Sequence, residues 1–213
     1  HDPQRPAGRR AAVRRGHSGP VRGCDRAAGE HLYQHSGRTV PDFPDCSREE
    51  TAMSFFAANG ISAICAHTSL DCANGGVNDA LADILGFKNP VPLSDSGETA
   101  MIRKVVIDET EADALAMLVA DRLSTGVQVA DCGKTIDTVA LCGGAGGDFI
   151  HAVAESGCDA FITGEAKHHE FLAAYELGIT LIAAGHFETE NPVVAVLAEK
   201  IKENFGCEVE IIP

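Results

Sequence analysis

The segment ITLIAAGHFETE, residues 179–190, joins an apolar run of strand length to His186 and Glu190. A run without polar alternation is typical of a strand buried on both faces of a sheet. The segment ISAICAHTSLD, residues 61–71, repeats the arrangement, and its histidine also stands four residues before a carboxylate, Asp71. Because imidazole nitrogens and carboxylate oxygens are both ligands of divalent metals, the two segments predict a metal site at the ends of buried strands.

Strand and helix patterns alternate through the rest of the chain. Apolar runs predict strands at residues 61–66, 102–107, 138–142, 160–163 and 179–184. Periodicity and caps predict helices at residues 77–85, from Asp108 onward, 167–177 and 192–204. This order predicts an α/β fold of mixed, largely buried sheets flanked by helices. In such sheets ligands bind beyond the C-terminal strand ends, where the glycine-rich turn GGAGGD, residues 143–148, is expected.

Each of these polar segments also has a purely structural interpretation. Asp71 in a loop could cap the following helix, since Asp is common at turns and caps. We expect His186 at a strand exit and Glu190 at the next helix start, where the helix dipole favours a carboxylate in any case. The glycine-rich turn is either a tight strand–helix connection or a place where a ligand phosphate approaches backbone amides.

Composition and charge argue against two classes of partner. The chain has a net charge of −14, and residues 51–213 hold 24 acidic residues against eight basic ones. So acidic a surface repels phosphate groups, and we expect neither nucleic acid nor a membrane as partner. The sequence has no apolar run of about 18 residues and no apolar core of a secretory signal. Eight cysteines without C-x-x-C pairs are typical of reduced thiols, so a cytoplasmic location is expected.

Residues 1–46 differ from the rest of the chain. They are rich in Arg, Gly and Pro, contain no Lys, and show neither helical nor strand periodicity. The segment is therefore predicted to be a disordered arm. An arginine-rich arm that binds nucleic acid is an alternative that the interrupting acids disfavour, and a stretch not native to the protein is another. Residues 47–213 are expected to form a single α/β metal-binding domain.

Four motifs together resemble the GTP cyclohydrolase 1 type 2 homologue family, also called NIF-three-like proteins. HTSLD and GGVND, within residues 67–79, are similar to the family's H-T-N-L-D and G-G-V-N-D. The other three are GGAGG at 143–147, TGEAKHH at 163–169 and GHFETE at 185–190. The resemblance covers about residues 47–213 and keeps the family's order of motifs.

The resemblance implies an α/β fold in two lobes, a ring-shaped homohexamer and a cleft that holds two divalent metal ions. By position, it implies Asp71 and His186 as metal ligands and Glu190 as a ligand that bridges both metals. It places His67 and His169 in the same cleft, with His169 as a general acid or base. Mixed nitrogen and oxygen ligands admit Zn, Mn, Fe, Co or Ni.

One family motif has no counterpart in this sequence. The family carries a paired-histidine motif, H-H-P, ahead of the first motif, and no H-H-P occurs here. The chain then retains at most three of the five expected ligands. Metals held by so few protein ligands are expected to bind weakly, so the occupancy of the two sites is in doubt.

The predicted function is that of a divalent-metal-binding protein. The resemblance implies a dinuclear metal-dependent hydrolase that acts on a nucleotide or phosphoester. A non-enzymatic metal-binding or regulatory ring protein is the alternative, and an inactive truncated copy is a third possibility. The implied partners are other copies of the chain and a small-molecule substrate.

Overall fold

Two compact units make up the part of the chain described by the computed structural model, which is residues 10–13 and 54–212. Among the described residues, the first unit comprises 10–13, 54–67 and 194–212, and the second comprises 68–193. Most of the arginine-rich N-terminal segment lies outside the described residues, so its predicted disorder stays a prediction. The three predicted metal ligands all belong to the second unit.

Strands and helices alternate along the described chain. The strands are β1 (Arg10–Val13), β2 (Val91–Pro92), β3 (Arg103–Thr110), β4 (Gln128–Ala130), β5 (Ile136–Cys142), β6 (Ala160–Thr163), β7 (Thr180–Ala183) and β8 (Glu208–Ile211). The α-helices with both ends described are α1 (Thr68–Cys72), α2 (Val77–Leu85), α3 (Ala112–Leu123), α4 (Ile150–Glu155), α5 (His168–Leu177), α6 (His186–Glu190) and α7 (Pro192–Phe205). Short 3-10 turns at Glu98–Met101 and Gly147–Phe149 precede β3 and α4.

The first unit contains a two-stranded sheet in which β1 and β8 pair in parallel. Helix α7 leads into β8 and buries Val194, Ala198 and Ile201 in a small apolar cluster. Cys207 and Val209 pack against this cluster. Their burial holds the C-terminal strand next to the helix that precedes it.

The second unit is built on a mixed six-stranded sheet in the order β2-β3-β5-β6-β7-β4. The three central strands β5, β6 and β7 run parallel, whereas β2, β3 and β4 join their neighbours antiparallel. The C-terminal ends of the central strands therefore meet at one edge of the sheet. The loops that follow these ends carry the glycine-rich and histidine-containing motifs.

Helices cover both faces of this sheet because the side chains of the central strands alternate between two cores. On β5, Val139 and Leu141 face a core that also contains residues of α2 and α3. Ala140 and Cys142 face the opposite core, with residues of α4 and α5. The predicted α/β architecture, with buried strands and flanking helices, is confirmed.

The sequence predicts several elements well and others poorly. The strand at 160–163 and the helix at 77–85 have the predicted bounds, and Gly86 ends that helix with φ of 82°. Residues 61–66, predicted as a strand, form no regular structure. Most of that run is Ser, Ala and Cys, and only Ile61 is fully buried. Small residues gain little from burial, so the run lacks the apolar area that stabilises a core strand.

The prediction that a helix begins at Asp108 is also wrong. Strand β3 continues through Asp108 to Thr110, which pairs with Ile136 of β5 beyond a register shift. The helix α3 then begins at Ala112. Pairing with a central strand prevails over the local capping pattern, because caps contribute only about 1 kcal/mol.

A buried arginine ties α1 and the start of α2 to the sheet. The Arg103 side chain is only 1% exposed, and its Nε donates to Asp79 Oδ1 at 2.5 Å. Its terminal nitrogens donate to four backbone carbonyl oxygens, those of Cys72, Ala73, Ala100 and Met101. Asp79 Oδ2 in turn accepts from the backbone N–H of Gly75. One guanidinium therefore fixes the loop between α1 and α2.

We expect Arg103→Met to destabilise the second unit by about 3–5 kcal/mol, because Asp79 would stay partly buried without its ion-pair partner. Denaturant unfolding measures this loss. The matched control is Arg122→Met, which changes an exposed arginine of α3 and should alter stability by less than about 0.5 kcal/mol. Equal effects of the two substitutions would contradict the structural role of Arg103.

Candidate metal centre

The short helix α6 brings His186 and Glu190 together. They are its first and last residues, four positions apart, so both side chains lie on one face. His186 Nε2 lies 3.4 Å from Glu190 Oε1. The two residues were expected at a strand exit and at the next helix start. Instead β7 ends at Ala183, and one helical turn holds both side chains.

The glycine-rich turn after β5 packs against His186 and Glu190, and its glycines, which lack side chains, leave room for both. Gly144 has φ of 70°, a conformation that favours glycine. A Cβ atom at Gly144 would overlap Glu190 Oε1 and would lie 3.3 Å from His186 Nε2. At Gly143 a Cβ would meet Glu190 Cγ at 3.4 Å. The backbone of the turn therefore forms the wall against which both side chains rest.

Two buried threonines, one at the end of β6 and one in α6, hold the glycine-rich turn that follows β5. Thr189 Oγ1 accepts from the Gly144 N–H at 3.0 Å and lies 2.8 Å from the Gly185 carbonyl oxygen, to which it donates. Thr163 Oγ1 accepts from the Gly146 N–H at 3.0 Å and donates to the Gly144 carbonyl oxygen at 3.2 Å. Both threonines are fully buried. These bonds hold the ends of β5, β6 and β7 as one rigid edge.

A buried asparagine connects the backbone of Asp71 to this edge of the sheet by hydrogen bonds. The prediction of a loop at Asp71 is wrong, since the residue lies in the five-residue helix α1. Asn78 donates from Nδ2 to the Asp71 carbonyl oxygen at 3.3 Å, and its Oδ1 accepts from the Gly143 N–H at 2.7 Å. Asn78 is 1% exposed, so this bridge is shielded from water. It links the backbone at Asp71 to the glycine-rich turn.

Cys142, the last residue of β5, lies near enough to Asp71 for the two side chains to interact electrostatically. Burial raises the pKa of the Cys142 thiol to about 12, and the charges of Asp71 and Cys72 raise it further toward that value. The thiol is therefore protonated at neutral pH. A protonated thiol is a poor nucleophile.

His169, the predicted general acid or base, lies at the start of α5. Its side chain is 72% exposed, and its Nε2 is 3.8 Å from Glu170 Oε1. Glu170 is buried and accepts from the Lys167 N–H, which caps the helix. A hydrogen bond from Lys167 also lowers the pKa of the exposed Asp148 carboxyl. His67 is exposed and belongs to the first unit.

The sequence places Glu165 in the TGEAKHH motif, at a strand end where ligands are expected, but does not assign it a role in the site. Its Oε1 lies 3.3 Å from His186 Nδ1, on the ring edge opposite Glu190. Its backbone N–H donates to the Gly144 carbonyl oxygen at 2.8 Å. The available signals were this motif and its position two residues after the end of β6, which it shares with many structural glutamates.

The donor types of the site fit a divalent metal. His186 and Glu190 supply a nitrogen and an oxygen on one face of the helix. Because Gly144 has no side chain, nothing from the adjacent turn stands between these two donors. Among the described residues, no three His, Cys, Asp or Glu side chains are placed to enclose an ion together. The arrangement therefore supplies a two-donor pair, with Asp71 linked to it through Asn78.

Comparison with known proteins gives the family. The sequence profile of the family described as Duf34/NIF3 (NGG1p interacting factor 3) matches residues 44–213. The chain is 34% identical to the GTP cyclohydrolase 1 type 2 homolog of Clostridium perfringens over 72% of its own length and 61% of the relative's. It is 36% identical to the homolog of Nostoc sp. over 64% of its length and 54% of the relative's. The chain thus spans less than two thirds of these relatives.

Solved structures share the fold. Protein ybgI, described as of unknown function, has a TM-score of 0.70 at 28% identity, over 83% of this chain and 70% of that one. Reduced HcgD from Methanocaldococcus jannaschii has a TM-score of 0.67 at 26% identity, over 80% and 68%. This chain belongs to the Duf34/NIF3 family, as its motifs predict. In the described part of the chain, no helix is both long and apolar enough to cross a membrane.

Gly144→Ala tests the wall of the site against a matched control. Gly133 has almost the same φ, 71°, but a Cβ there meets nothing within 4 Å. Alanine should cost about 1–2 kcal/mol at either position because of the left-handed backbone. At Gly144 the Cβ would meet the carboxylate end of Glu190, a flexible side chain that can turn aside, so we expect a further loss of at most about 1 kcal/mol. Denaturant unfolding of both variants measures the difference, and equal losses would show that the wall is not tight.

Proposed function

We propose that this member of the Duf34/NIF3 family binds divalent metal ions through His186, Glu190 and Asp71. The observation that carries the proposal is the 3.4 Å approach of His186 Nε2 to Glu190 Oε1 against a wall without side chains. A neutral imidazole and a carboxylate are a donor pair typical of Zn, Mn, Fe, Co or Ni sites. The position of both on one helical turn fixes their spacing before any ion arrives.

Asp71 is proposed as the third donor. Asn78 and Arg103 hold the backbone of helix α1, which buries none of its five side chains, so the Asp71 side chain can move more readily than the helix. The 3.3 Å bond from Asn78 reaches the Asp71 backbone and leaves its carboxylate outside that bond. A shift of the Asp71 side chain toward the turn is proposed to bring its carboxylate to His186 and Glu190. The need for this shift is a reason to expect weak binding.

The proposed chemistry is hydrolysis of a nucleotide or phosphoester. A divalent ion supplies Lewis acidity, which polarises a phosphoryl oxygen and makes water a better nucleophile. His186 and Glu190 hold and orient the reacting centre, while the buried edge behind them excludes water from one side. The His169 side chain is 72% exposed and can therefore exchange a proton with a bound substrate or with water, which is the role proposed for it.

Further parts of the proposal rest on the family alone. The relatives are longer than this chain, so a homohexameric ring, two metals per subunit, a small-molecule substrate and a cytoplasmic location are proposals for this protein. Light scattering of the purified chain would report the oligomer directly. A hexamer is the expected result, and a monomer at all concentrations would reject the ring for this chain.

Calorimetric titration with Mn²⁺, Co²⁺ and Zn²⁺ tests metal binding. We expect His186→Gln and Glu190→Gln each to weaken binding by at least about tenfold, because each removes a donor from a pair that already lies together. Asp71→Asn should weaken it as well. The control Asp83→Asn removes an equal charge from an exposed position on α2 and should leave the affinity unchanged. Binding that is unaffected by all three site variants would reject the proposed ligands.

Turnover assays separate the enzyme from a non-enzymatic metal-binding protein. Nucleoside triphosphates and an aromatic phosphoester are incubated with the metal-loaded chain, with and without a chelator. The proposal predicts phosphate or ring-opened product that requires metal and disappears in Glu190→Gln. Stoichiometric metal binding without any product would favour the regulatory alternative, and absence of both would mark an inactive copy.

A further inference from the structure

We infer that Glu165 is a positioning residue, which orients the imidazole of His186 so that its Nε2 is presented to the metal. The inference rests on the proposed function, and no comparison assigns a role to this glutamate. The geometry is simple. Glu165 Oε1 lies 3.3 Å from His186 Nδ1, and Glu190 Oε1 lies 3.4 Å from His186 Nε2. Two carboxylates therefore face the two nitrogens of one ring from opposite edges.

The backbone around Glu165 is fixed on both sides. Its N–H donates to the Gly144 carbonyl oxygen at 2.8 Å, and its own carbonyl oxygen accepts from the Gly147 N–H at 3.3 Å. One residue upstream, the Gly164 carbonyl oxygen accepts from the N–H of Gly185 at 2.9 Å. Gly185 directly precedes His186, so the backbones that carry the glutamate and the histidine are joined one residue before each.

The close approach of these backbones depends on glycine. A Cβ at Gly164 would lie 2.6 Å from the Gly144 carbonyl oxygen and 2.9 Å from that of Gly185. A larger residue would therefore push the loop after β6 away from the loop after β7. This contact sets the separation of the backbones at Glu165 and His186, and the glutamate side chain spans the remaining distance to the ring.

The chemistry of imidazole makes the arrangement directional. A neutral ring has one N–H donor and one lone pair, whereas an ionised carboxylate only accepts. If Glu165 accepts from Nδ1–H, the lone pair is at Nε2, on the edge shared with Glu190. Metal-binding histidines usually donate their other N–H to a carboxylate or carbonyl in this way, and the partner raises the basicity of the ligand. Glu165 faces the other edge and so acts through His186.

Metal affinity provides the first test. The Glu165 side chain is 60% exposed, so its loss should change stability little, while Co²⁺ affinity should fall by about 10–100-fold in Glu165→Ala. Glu165→Gln keeps an acceptor oxygen and should recover most of the affinity. The control Glu176→Ala removes the same charge from an exposed position on α5. Equal Co²⁺ affinity in Glu165→Ala and in the control would overturn the inference.

A second measurement is independent of metal. Long-range ¹H–¹⁵N NMR correlations report which ring nitrogen carries the proton, and the His186 signals are identified by their loss in His186→Gln. In metal-free protein, at an alkaline pH where histidine rings are neutral, we expect a measurable Nδ1–H population in the wild type, since Glu165 and Glu190 lie at nearly equal distances from the two ring nitrogens. Glu165→Ala should shift the ring toward the Nε2–H form, since Glu190 is then the remaining acceptor among the two.

The two measurements separate this inference from the proposed function. If the wild type binds no metal but the tautomer changes as expected, the proposed function fails and the positioning of His186 by Glu165 stands. If metal binds through His186 but the same tautomer is found in wild type and Glu165→Ala, the positioning role is rejected and the metal site stands.

Discussion

The structure of the site depends on the close approach of three backbone segments at the C-terminal edge of the parallel strands. The glycine-rich turn after β5 lies against the loop after β6, which lies against the loop before α6. Gly144 and Gly164 permit contacts that a Cβ would prevent. Buried Thr163 and Thr189 then satisfy the backbone groups that this crowding leaves without partners. The positions of His186 and Glu190 depend on this packing of the three segments.

Buried polar side chains connect this edge of the sheet to the helix that carries Asp71. Asn78 joins the Asp71 backbone to the glycine-rich turn, and Arg103 joins the loop after α1 to β3. In a low-dielectric interior such groups are costly when unpaired and directional when paired. They therefore determine where the loop between α1 and α2 lies. The short helix α1 is held through its carbonyl groups, while its side chains remain at the surface.

The sequence predicts the parts of this fold in which burial is uniform. Strands β6 and β7 are continuous apolar runs, and α2 ends at a glycine with positive φ, so pattern and structure agree. Prediction fails where long-range pairing competes with local signals. At Asp108 a cap-like pattern gives way to strand pairing, and His186 and Glu190, expected at a strand exit and at the next helix start, lie on one short helix. Glu165 escapes notice because its partner, His186, is 21 residues away along the chain and close only in the folded state.

The central claim is that His186, Glu190 and Asp71 converge on a divalent ion. Anomalous diffraction from crystals of the full chain soaked in Mn²⁺ or Zn²⁺ tests it most directly. We expect a metal peak at a coordination distance of about 2.0–2.2 Å from His186 Nε2 and from a Glu190 oxygen, with the Asp71 carboxylate drawn toward it. A well-occupied metal peak elsewhere on the chain, with this pair left unliganded, would contradict the claim.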